Sequence, residues 1–142
     1  MGKQAGITLD CSLYTEKITE IVASLNRIGW GFSGQQKTFL PLHDDDMFDW
    51  QTAEMTDEAL FALLDEKQRC GETCGVELYY RQTGRGIHLL AKHTGEIGMH
   101  ICINRKTLSS GFTDASWYIA HIAAKLDAVG CLVESVRFDE HI

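Results

Sequence analysis

The stretch 75-GVELYYRQTGRGIHLLAKHTGEIGMHICIN-104 decides the fold. Apolar and polar residues alternate through it in three runs, and glycine-containing turns separate the runs at residues 84–86 and 93–96. Alternation with a period of two places apolar side chains on one face of a strand, and turns this short join neighbouring antiparallel strands. The stretch therefore predicts a three-stranded antiparallel meander with one buried face.

The rest of the chain predicts helices and shorter strands around this meander. Apolar residues spaced three and four apart predict helices over residues 18–28, 56–70 and 113–130. Residues 30–33 and 37–42 predict a pair of strands around Gly34, and residues 43–55 predict an acidic loop. With short strands at both ends, we expect one α+β domain over residues 1–142. It would be a single-layer, antiparallel-rich sheet of about five to six strands with three helices packed on it.

Composition limits the classes of protein to which the chain can belong. With 44% hydrophobic and 23% charged residues it falls in the ordinary globular range. No apolar run approaches the roughly 20 residues that cross a bilayer, and the first residues lack the apolar core of a signal peptide. We therefore expect a cytoplasmic protein without a membrane partner. Five cysteines are an odd number, and Cys70 and Cys74 lack a second pair at zinc spacing, so we expect reduced thiols.

Negative charge is concentrated in one part of the chain. Nine of the 20 acidic residues lie between Thr38 and Glu66, a stretch without Lys or Arg, which we call the acidic segment. Outside it, 11 acidic residues face 13 basic ones, so the formal net charge of −7 is a local feature. Charge of one sign speeds encounters with an oppositely charged partner and repels nucleic acid.

Apolar residues are threaded through the acidic segment at Met47, Phe48 and Trp50. Aromatic residues inside a charged rim are typical of protein–protein interfaces. Two other interpretations remain open: the carboxylates form a solvated face, or Phe48 and Trp50 only hold the loop on the core. The candidate partner-binding residues are Asp44, Asp45, Asp46, Asp49, Trp50, Glu54, Asp57 and Glu58.

Motifs of reaction chemistry are absent from the sequence, including the nucleophile elbow, the phosphate loop, the dinucleotide fingerprint and the zinc-protease motif. A tight turn at Thr94-Gly95 would place His88 and His100 on opposite faces of their hairpin, where they cannot share a metal ion. The aspartates at 44–46 lack calcium-loop spacing. Basic residues form no cluster larger than a pair. We therefore expect no catalytic residue, no metal, no cofactor and no nucleic-acid partner.

A family resemblance covers roughly residues 60–138. The residues that carry it are Gly75-Val76-Glu77-Leu78-Tyr79-Tyr80-Arg81, the Thr83-Gly84 turn, Ile103-Asn104-Arg105-Lys106-Thr107-Leu108, Ser116-Trp117-Tyr118-Ile119 and Val133-Glu134-Ser135-Val136. In these the chain resembles small bacterial immunity proteins that accompany contact-dependent inhibition and other polymorphic toxins. The resemblance implies a cytosolic, single-domain inhibitor of a neighbouring toxin domain, often a nuclease. The resemblance does not identify binding residues in this chain, because pairs of toxin and immunity protein use different interfaces even on one fold.

Charge and resemblance lead to the same functional hypothesis. Nucleases bind polyanions and tend to be basic, so an acidic protein could cover such a surface. We expect an immunity protein whose partner is a cognate, basic toxin domain. One alternative is a small hydrolase-like enzyme that uses His and Asp/Glu residues, which a pocket with two or more of His43, His88, His100 and His121 would favour. Another is a non-catalytic adaptor or oligomerising subunit.

Overall fold

Eight strands form one antiparallel sheet in the computed structural model, which describes residues 4–44 and 47–142. The strands are β1 (Gln4–Asp10), β2 (Trp30–Gly31), β3 (Gln36–Phe39), β4 (Gln51–Glu54), β5 (Cys74–Tyr80), β6 (Gly86–Ala91), β7 (Ile97–Ile103) and β8 (Ser135–His141). Their order across the sheet is β4-β3-β5-β6-β7-β1-β8, and β2 also pairs with β5. The prediction of an α+β fold with an antiparallel sheet is confirmed, whereas the expected five to six strands were too few.

The additional strand β4 lies within the segment that the sequence predicts as a loop. It pairs with β3 from Gln36↔Glu54 to Phe39↔Gln51, and the Thr38 and Thr52 hydroxyls lie 3.0 Å apart across the pair. This pairing depends on backbone hydrogen bonds and small polar side chains, which leave no apolar alternation to recognise. The predicted loop over residues 43–55 is therefore wrong at its C-terminal end.

The predicted strand pair around Gly34 is also only partly correct. Its two arms meet at a single bridge, Ser33↔Gln36, and each arm pairs instead with β5. Trp30 lies opposite Tyr80 and Phe39 lies opposite Val76. Both arms thus place a buried residue beside a buried residue of β5, and such cross-strand apolar pairs stabilise a sheet.

Three helical regions pack on the sheet, as predicted, and the third is interrupted. The helices are α1 (Ile18–Arg27), α2 (Asp57–Arg69), α3 (Ala115–His121) and α4 (Ala123–Ala128). The Thr56 hydroxyl caps α2 by accepting a hydrogen bond from the Ala59 amide at 3.1 Å, as its position before the helix predicts. The break between α3 and α4 coincides with the Trp30 indole, which donates to the His121 carbonyl at 2.9 Å. A side chain that binds a helix carbonyl is a recognised cause of kinks.

In the described residues, the helices pack on one face of the sheet. Alternate strand residues such as Ile7, Leu78 and Met99 are buried with Leu25 and Leu64 of the helices. The residues between them face the other side, which we call the open face. Along the open face lie Gly6, Thr8, Glu77, Tyr79, His88, His100, Cys102, Arg137 and Asp139. Trp50 stacks on His88 of this face, and the strands β4 and β8 form the two edges of the sheet.

Candidate functional site

The first carboxylate of the acidic segment is turned inward. Asp44 has a side chain only 3% exposed, and its Oδ1 lies 3.5 Å from Nζ of Lys67. Lys67 is fully buried and also contacts Oε1 of Glu72 at 3.0 Å and the carbonyl of Pro41. Glu72 in turn accepts a hydrogen bond from the amide of His43 at 2.9 Å. These contacts neutralise Lys67 and fix the start of the segment against α2.

Asp57 is paired within the chain as well. Its Oδ1 lies 3.0 Å from Nζ of Lys37, a fully buried cation that sits 5.1 Å from the ring centroid of Phe32. Lys37 also donates to the carbonyl of Gly34. Asp57 therefore compensates a buried charge and ties the start of α2 to β3, although its own side chain remains accessible.

Two further carboxylates in α2 have partners inside the chain. Asp65 accepts a hydrogen bond from the Thr19 hydroxyl at 3.0 Å, and Glu66 pairs with Arg69 one helical turn later. Like Asp44 and Asp57, these residues already have a partner within the chain. Only part of the acidic segment is thus available to another molecule.

The carboxylates of Asp49, Glu54 and Glu58 remain exposed. Asp49 precedes β4, Glu54 ends it, and Glu58 lies in the first turn of α2. In residues 4–44 and 47–142, none of the three forms an ion pair. Asp45 and Asp46, also candidates from the sequence, lie outside the described residues. The free negative charge that the structure describes in this region therefore surrounds the edge strand β4.

Trp50 lies on the open face, where it holds the acidic segment against the sheet. Its indole stacks on the imidazole of His88, with ring centroids 4.1 Å apart and planes inclined by 29°. Gly75 leaves room for it, because a Cβ added there would lie 3.1 Å from Cη2 of Trp50 and 2.6 Å from Cγ of Leu40. Trp50 is therefore half-buried, as in the interpretation in which it attaches the loop to the core.

Met47 and Phe48 instead project into solvent, with exposed fractions of 76% and 47%. Phe48 has a left-handed backbone with φ of 54°, and His43 has one with φ of 62°. For residues with a Cβ this conformation costs about 1 kcal/mol or more. The fold thus holds an exposed aromatic residue in a strained backbone. The surrounding cleft of about 630 Å³ is lined by Pro41, Leu42, His43, Asp44, Met47, Phe48, Asp49 and Gln51.

The register of the β6–β7 hairpin differs from the predicted one. His88 lies directly opposite His100, and Leu89 opposite Met99, so the two histidines share the open face. The prediction that they lie on opposite faces was wrong because the connection is longer than a two-residue turn. Thr94 is buried in it, donates to the carbonyl of Thr15 at 2.6 Å and accepts from the amide of Cys11 at 2.8 Å. These contacts fix the loop length and hence the register.

The shared face does not bring the histidines into a recognisable reaction centre. His88 lies 3.8 Å from Oε1 of Glu77, which accepts a 2.6 Å hydrogen bond from the hydroxyl of Tyr79. That bond raises the pKa of Tyr79 to about 12, while burial lowers the pKa of His88. Burial also raises the pKa of Cys102, which disfavours a nucleophilic thiolate.

The structure also places the candidate metal ligands and the two spaced cysteines, Cys70 and Cys74. Across the residues that the structure describes, no three His, Cys, Asp or Glu side chains converge as a metal site would require. Cys70 follows α2 and Cys74 begins β5, and both are free thiols. Burial raises the pKa of Cys74 to about 12, so this thiol stays protonated.

The sequence shows Arg81 and Arg85 only as a basic pair near Tyr80, whereas the structure places them in a larger cluster of cations and aromatic rings. The guanidinium of Arg81 and the ammonium of Lys125 lie 5.2 and 5.6 Å from the ring centroid of Tyr80, and Arg85 lies 5.5 Å from that of Trp117. Arg81 and Arg85 are close in the sequence, but Lys125 comes from α4, and no spacing rule connects it to them. These cations lie at the end of β5 and beside the helices.

Comparisons with known proteins provide no relative from which function could be transferred. No protein-family model, no curated protein and no solved structure matches this chain. Function must therefore be inferred from the chain's own geometry.

Within the described residues, no helix combines the length and apolar character that crossing a membrane requires.

Proposed function

We propose that this protein binds and neutralises a basic toxin domain, as the immunity proteins that it resembles in sequence do. The contact region would be the surface around β4, which we call the β4 surface and define as Met47, Phe48, Asp49, Glu54 and Glu58. The observation that carries the proposal is that the carboxylates of the acidic segment fall into two groups. Asp44 and Asp57 are paired with buried lysines, and Asp44 is itself buried, whereas the carboxylates flanking β4 are exposed without an ion-pair partner among the described residues.

The exposed carboxylates would provide attraction at long range. Asp49, Glu54 and Glu58 lie close to one another in sequence around a single edge strand, in a chain with a formal net charge of −7. A field of one sign increases the rate at which a cationic partner arrives and orients it during the encounter. Nuclease domains carry positive charge because their substrate is a polyanion. The β4 surface would occupy the region where that substrate binds.

The exposed apolar residues would provide contact at short range. Phe48 and Met47 adjoin Asp49, so an apolar centre lies beside negative groups, as in the core and rim of an interface. Stacking of Trp50 on His88 orders the chain two residues after Phe48. An ordered segment loses less conformational entropy on binding, which favours affinity. The strained φ of Phe48 fits a residue that is held in place for contact rather than for the fold.

This function needs neither a cofactor nor a metal ion, and it involves no nucleic acid or membrane. The inhibitor would act in the cytoplasm, where a delivered toxin domain reaches its substrate. Binding would be tight, about nanomolar or better, because even a small free fraction of a toxic enzyme is harmful.

The alternative of a small hydrolase-like enzyme gains no support from the geometry. His43 lines the cleft beside Phe48, and His100 lines a different one on the open face near Gly98. No cleft described here contains two of the four histidines that would favour catalysis. His88, the most buried of those on the open face, is covered by Trp50.

A co-expression experiment tests the proposal. Bacteria would express the toxin domain encoded beside this chain's gene, together with either the unmodified protein or a triple variant with Asp49→Lys, Glu54→Lys and Glu58→Lys. A matched control changes the same net charge at three exposed sites elsewhere, Glu16→Lys, Glu96→Lys and Asp127→Lys. We expect growth with the unmodified protein and the control, and growth arrest with the triple variant. Equal protection by both variants would refute the β4 surface, and no protection by the unmodified protein would refute the function.

A further inference from the structure

The outer edge of β8 lies at the opposite end of the sheet from β4. β8 pairs with β1 over seven residues, from Gln4↔His141 to Asp10↔Ser135. On its other side, no strand of the described chain pairs with it. Five of its seven residues are exposed. A free edge of this length presents unpaired amide and carbonyl groups to which another strand can add.

The charges along this edge are arranged in a self-complementary order. Arg137 and Asp139 are two residues apart, so their side chains lie on the same face of β8. Both are exposed, with side-chain fractions of 65% and 61%, and Nε of Arg137 lies 3.7 Å from Oδ2 of Asp139. An exposed pair of this kind adds little to the stability of a monomer. Both groups therefore remain available to a partner.

We infer that a second copy of this chain pairs with β8 edge to edge, antiparallel and centred on Phe138. In that register Arg137 lies opposite the partner's Asp139, and Asp139 lies opposite the partner's Arg137. In the dimer, Arg137 and Asp139 no longer pair with each other along one strand, and each instead faces an opposite charge directly across the strand pair. The twofold axis makes the two cross-strand pairs equivalent. The sheets of both copies join into one, with their helices on the same side.

The other face of β8 is compatible with this register. Phe138 is half-buried, packs against the core, and would lie opposite the partner's Phe138 at the twofold axis. Glu140 does not bring a free charge to the contact, because it already binds Arg105 at 3.3 Å and the Thr113 amide at 3.0 Å. Val136 is exposed and adds apolar area. The contact is therefore apolar at its centre and paired in charge on the open face.

The two nearest alternative registers are disfavoured by the same two residues. Centring the pair on Arg137 places this cation opposite the partner's Arg137, and centring it on Asp139 places two carboxylates opposite each other. Like charges directly opposed on a sheet are destabilising. The order of charges therefore favours the register centred on Phe138 over its two neighbours, and it favours a second copy over an unrelated strand. It also discourages unspecific pairing, the usual hazard of a free edge.

The test uses sedimentation velocity on the full chain over roughly a hundredfold range of concentration, because a dimer's population follows mass action. We expect the unmodified chain to shift from monomer to dimer across this range. Arg137→Asp and Asp139→Arg should each weaken the dimer about tenfold or more, since each replaces two attractive pairs by two repulsive ones. Circular dichroism would show that each variant is folded.

The decisive arm mixes the two single variants. The Arg137→Asp chain then carries two negative charges on its edge and the Asp139→Arg chain two positive ones, so together they should form a heterodimer although each alone is monomeric. The double variant with both changes should recover the dimer. A monomer at all concentrations would overturn the inference, and so would a dimer insensitive to both changes. The toxin-binding proposal uses the other edge of the sheet, so Glu54→Lys should leave the dimer unchanged.

Discussion

The indole of Trp50 is stacked on the imidazole of His88, with ring centroids 4.1 Å apart. This contact joins the acidic segment to the centre of the sheet. It buries part of the open face, keeps the chain next to Phe48 ordered, and places Asp49 at the boundary between the sheet and solvent. The β4 surface therefore depends on a packing contact that has no charge of its own.

Replacing Trp50 should loosen the β4 surface. Trp50→Ala removes the stack on His88 and the contact above Gly75, and should lower the free energy of unfolding by about 2 kcal/mol, less than for a fully buried tryptophan. Proteolysis within residues 43–50 should become faster. Phe48→Ala is the matched control, because Phe48 is half-exposed and its loss should cost under about 1 kcal/mol. Urea denaturation measures both, and equal losses would contradict the role given to Trp50.

Gly75 should not tolerate a side chain. An added Cβ would lie 2.6 Å from Cγ of the buried Leu40 and 3.1 Å from Trp50, so Gly75→Ala should destabilise the fold by about 1–3 kcal/mol. Gly31, also a strand glycine, has no atom within 4 Å of the same added carbon. Gly31→Ala should therefore change stability by less than about 0.5 kcal/mol. Thermal denaturation of both variants checks this, and a tolerated Gly75→Ala would show that Leu40 can move away.

Asp44 and Asp49 should differ in their effect on stability although both belong to the acidic segment. Asp44 faces the buried Lys67, so Asp44→Ala weakens the compensation of a buried cation and should cost about 1–3 kcal/mol. Asp49 is exposed, and Asp49→Ala should change stability by less than about 0.5 kcal/mol. Chemical denaturation would compare them. If the two costs were the same, the division of the segment into inward and outward carboxylates would be wrong.

His88 should make stability depend on pH. Burial lowers its pKa below the ordinary value of 6.5, the carboxylate of Glu77 opposes this effect, and the neighbouring His100 adds to it. Just below pH 6.5 the unfolded chain therefore binds the proton more readily than the folded chain does. Stability then increases with pH through this range and is lost on acidification.

The measurement compares the free energy of unfolding at about pH 7 and about pH 5.5. The loss on acidification should be smaller in His88→Gln than in the unmodified protein, whatever the variant's stability at pH 7. His141→Gln, at an exposed position near the C-terminus, serves as the control and should keep the full dependence. A titration of His88 by NMR with a midpoint at or above 6.5 would contradict the account.

The parts of the fold that follow a hydrophobic period could be predicted from the sequence. Strands β5 to β7 and helices α1 and α2 bury one side each, so alternation or three-to-four spacing marks them. β4 has no such marker, because Gln51, Thr52 and Glu54 are all exposed and pair with β3 through the backbone. The register of His88 and His100 depends on contacts of Thr94 with a distant segment, which local spacing cannot express.

The candidate site was predictable as a segment but not residue by residue. The acidic segment can be found by counting charged residues along the sequence, because its composition alone defines it. Composition does not reveal that Asp44 faces Lys67 or that Asp57 faces Lys37, because each pair joins residues 20 or more positions apart. The outward carboxylates are identified only after the inward ones have been assigned to their lysines.

The most direct test of the proposed function is the rate at which the protein associates with the proposed partner, a basic toxin domain encoded beside its gene, followed by stopped-flow fluorescence at increasing salt. The account predicts fast association that slows as salt rises. The variant with Asp49→Lys, Glu54→Lys and Glu58→Lys should associate about tenfold more slowly or worse, while the variant with Glu16→Lys, Glu96→Lys and Asp127→Lys should keep most of the rate. Equal association rates for the two variants, unaffected by salt, would contradict it.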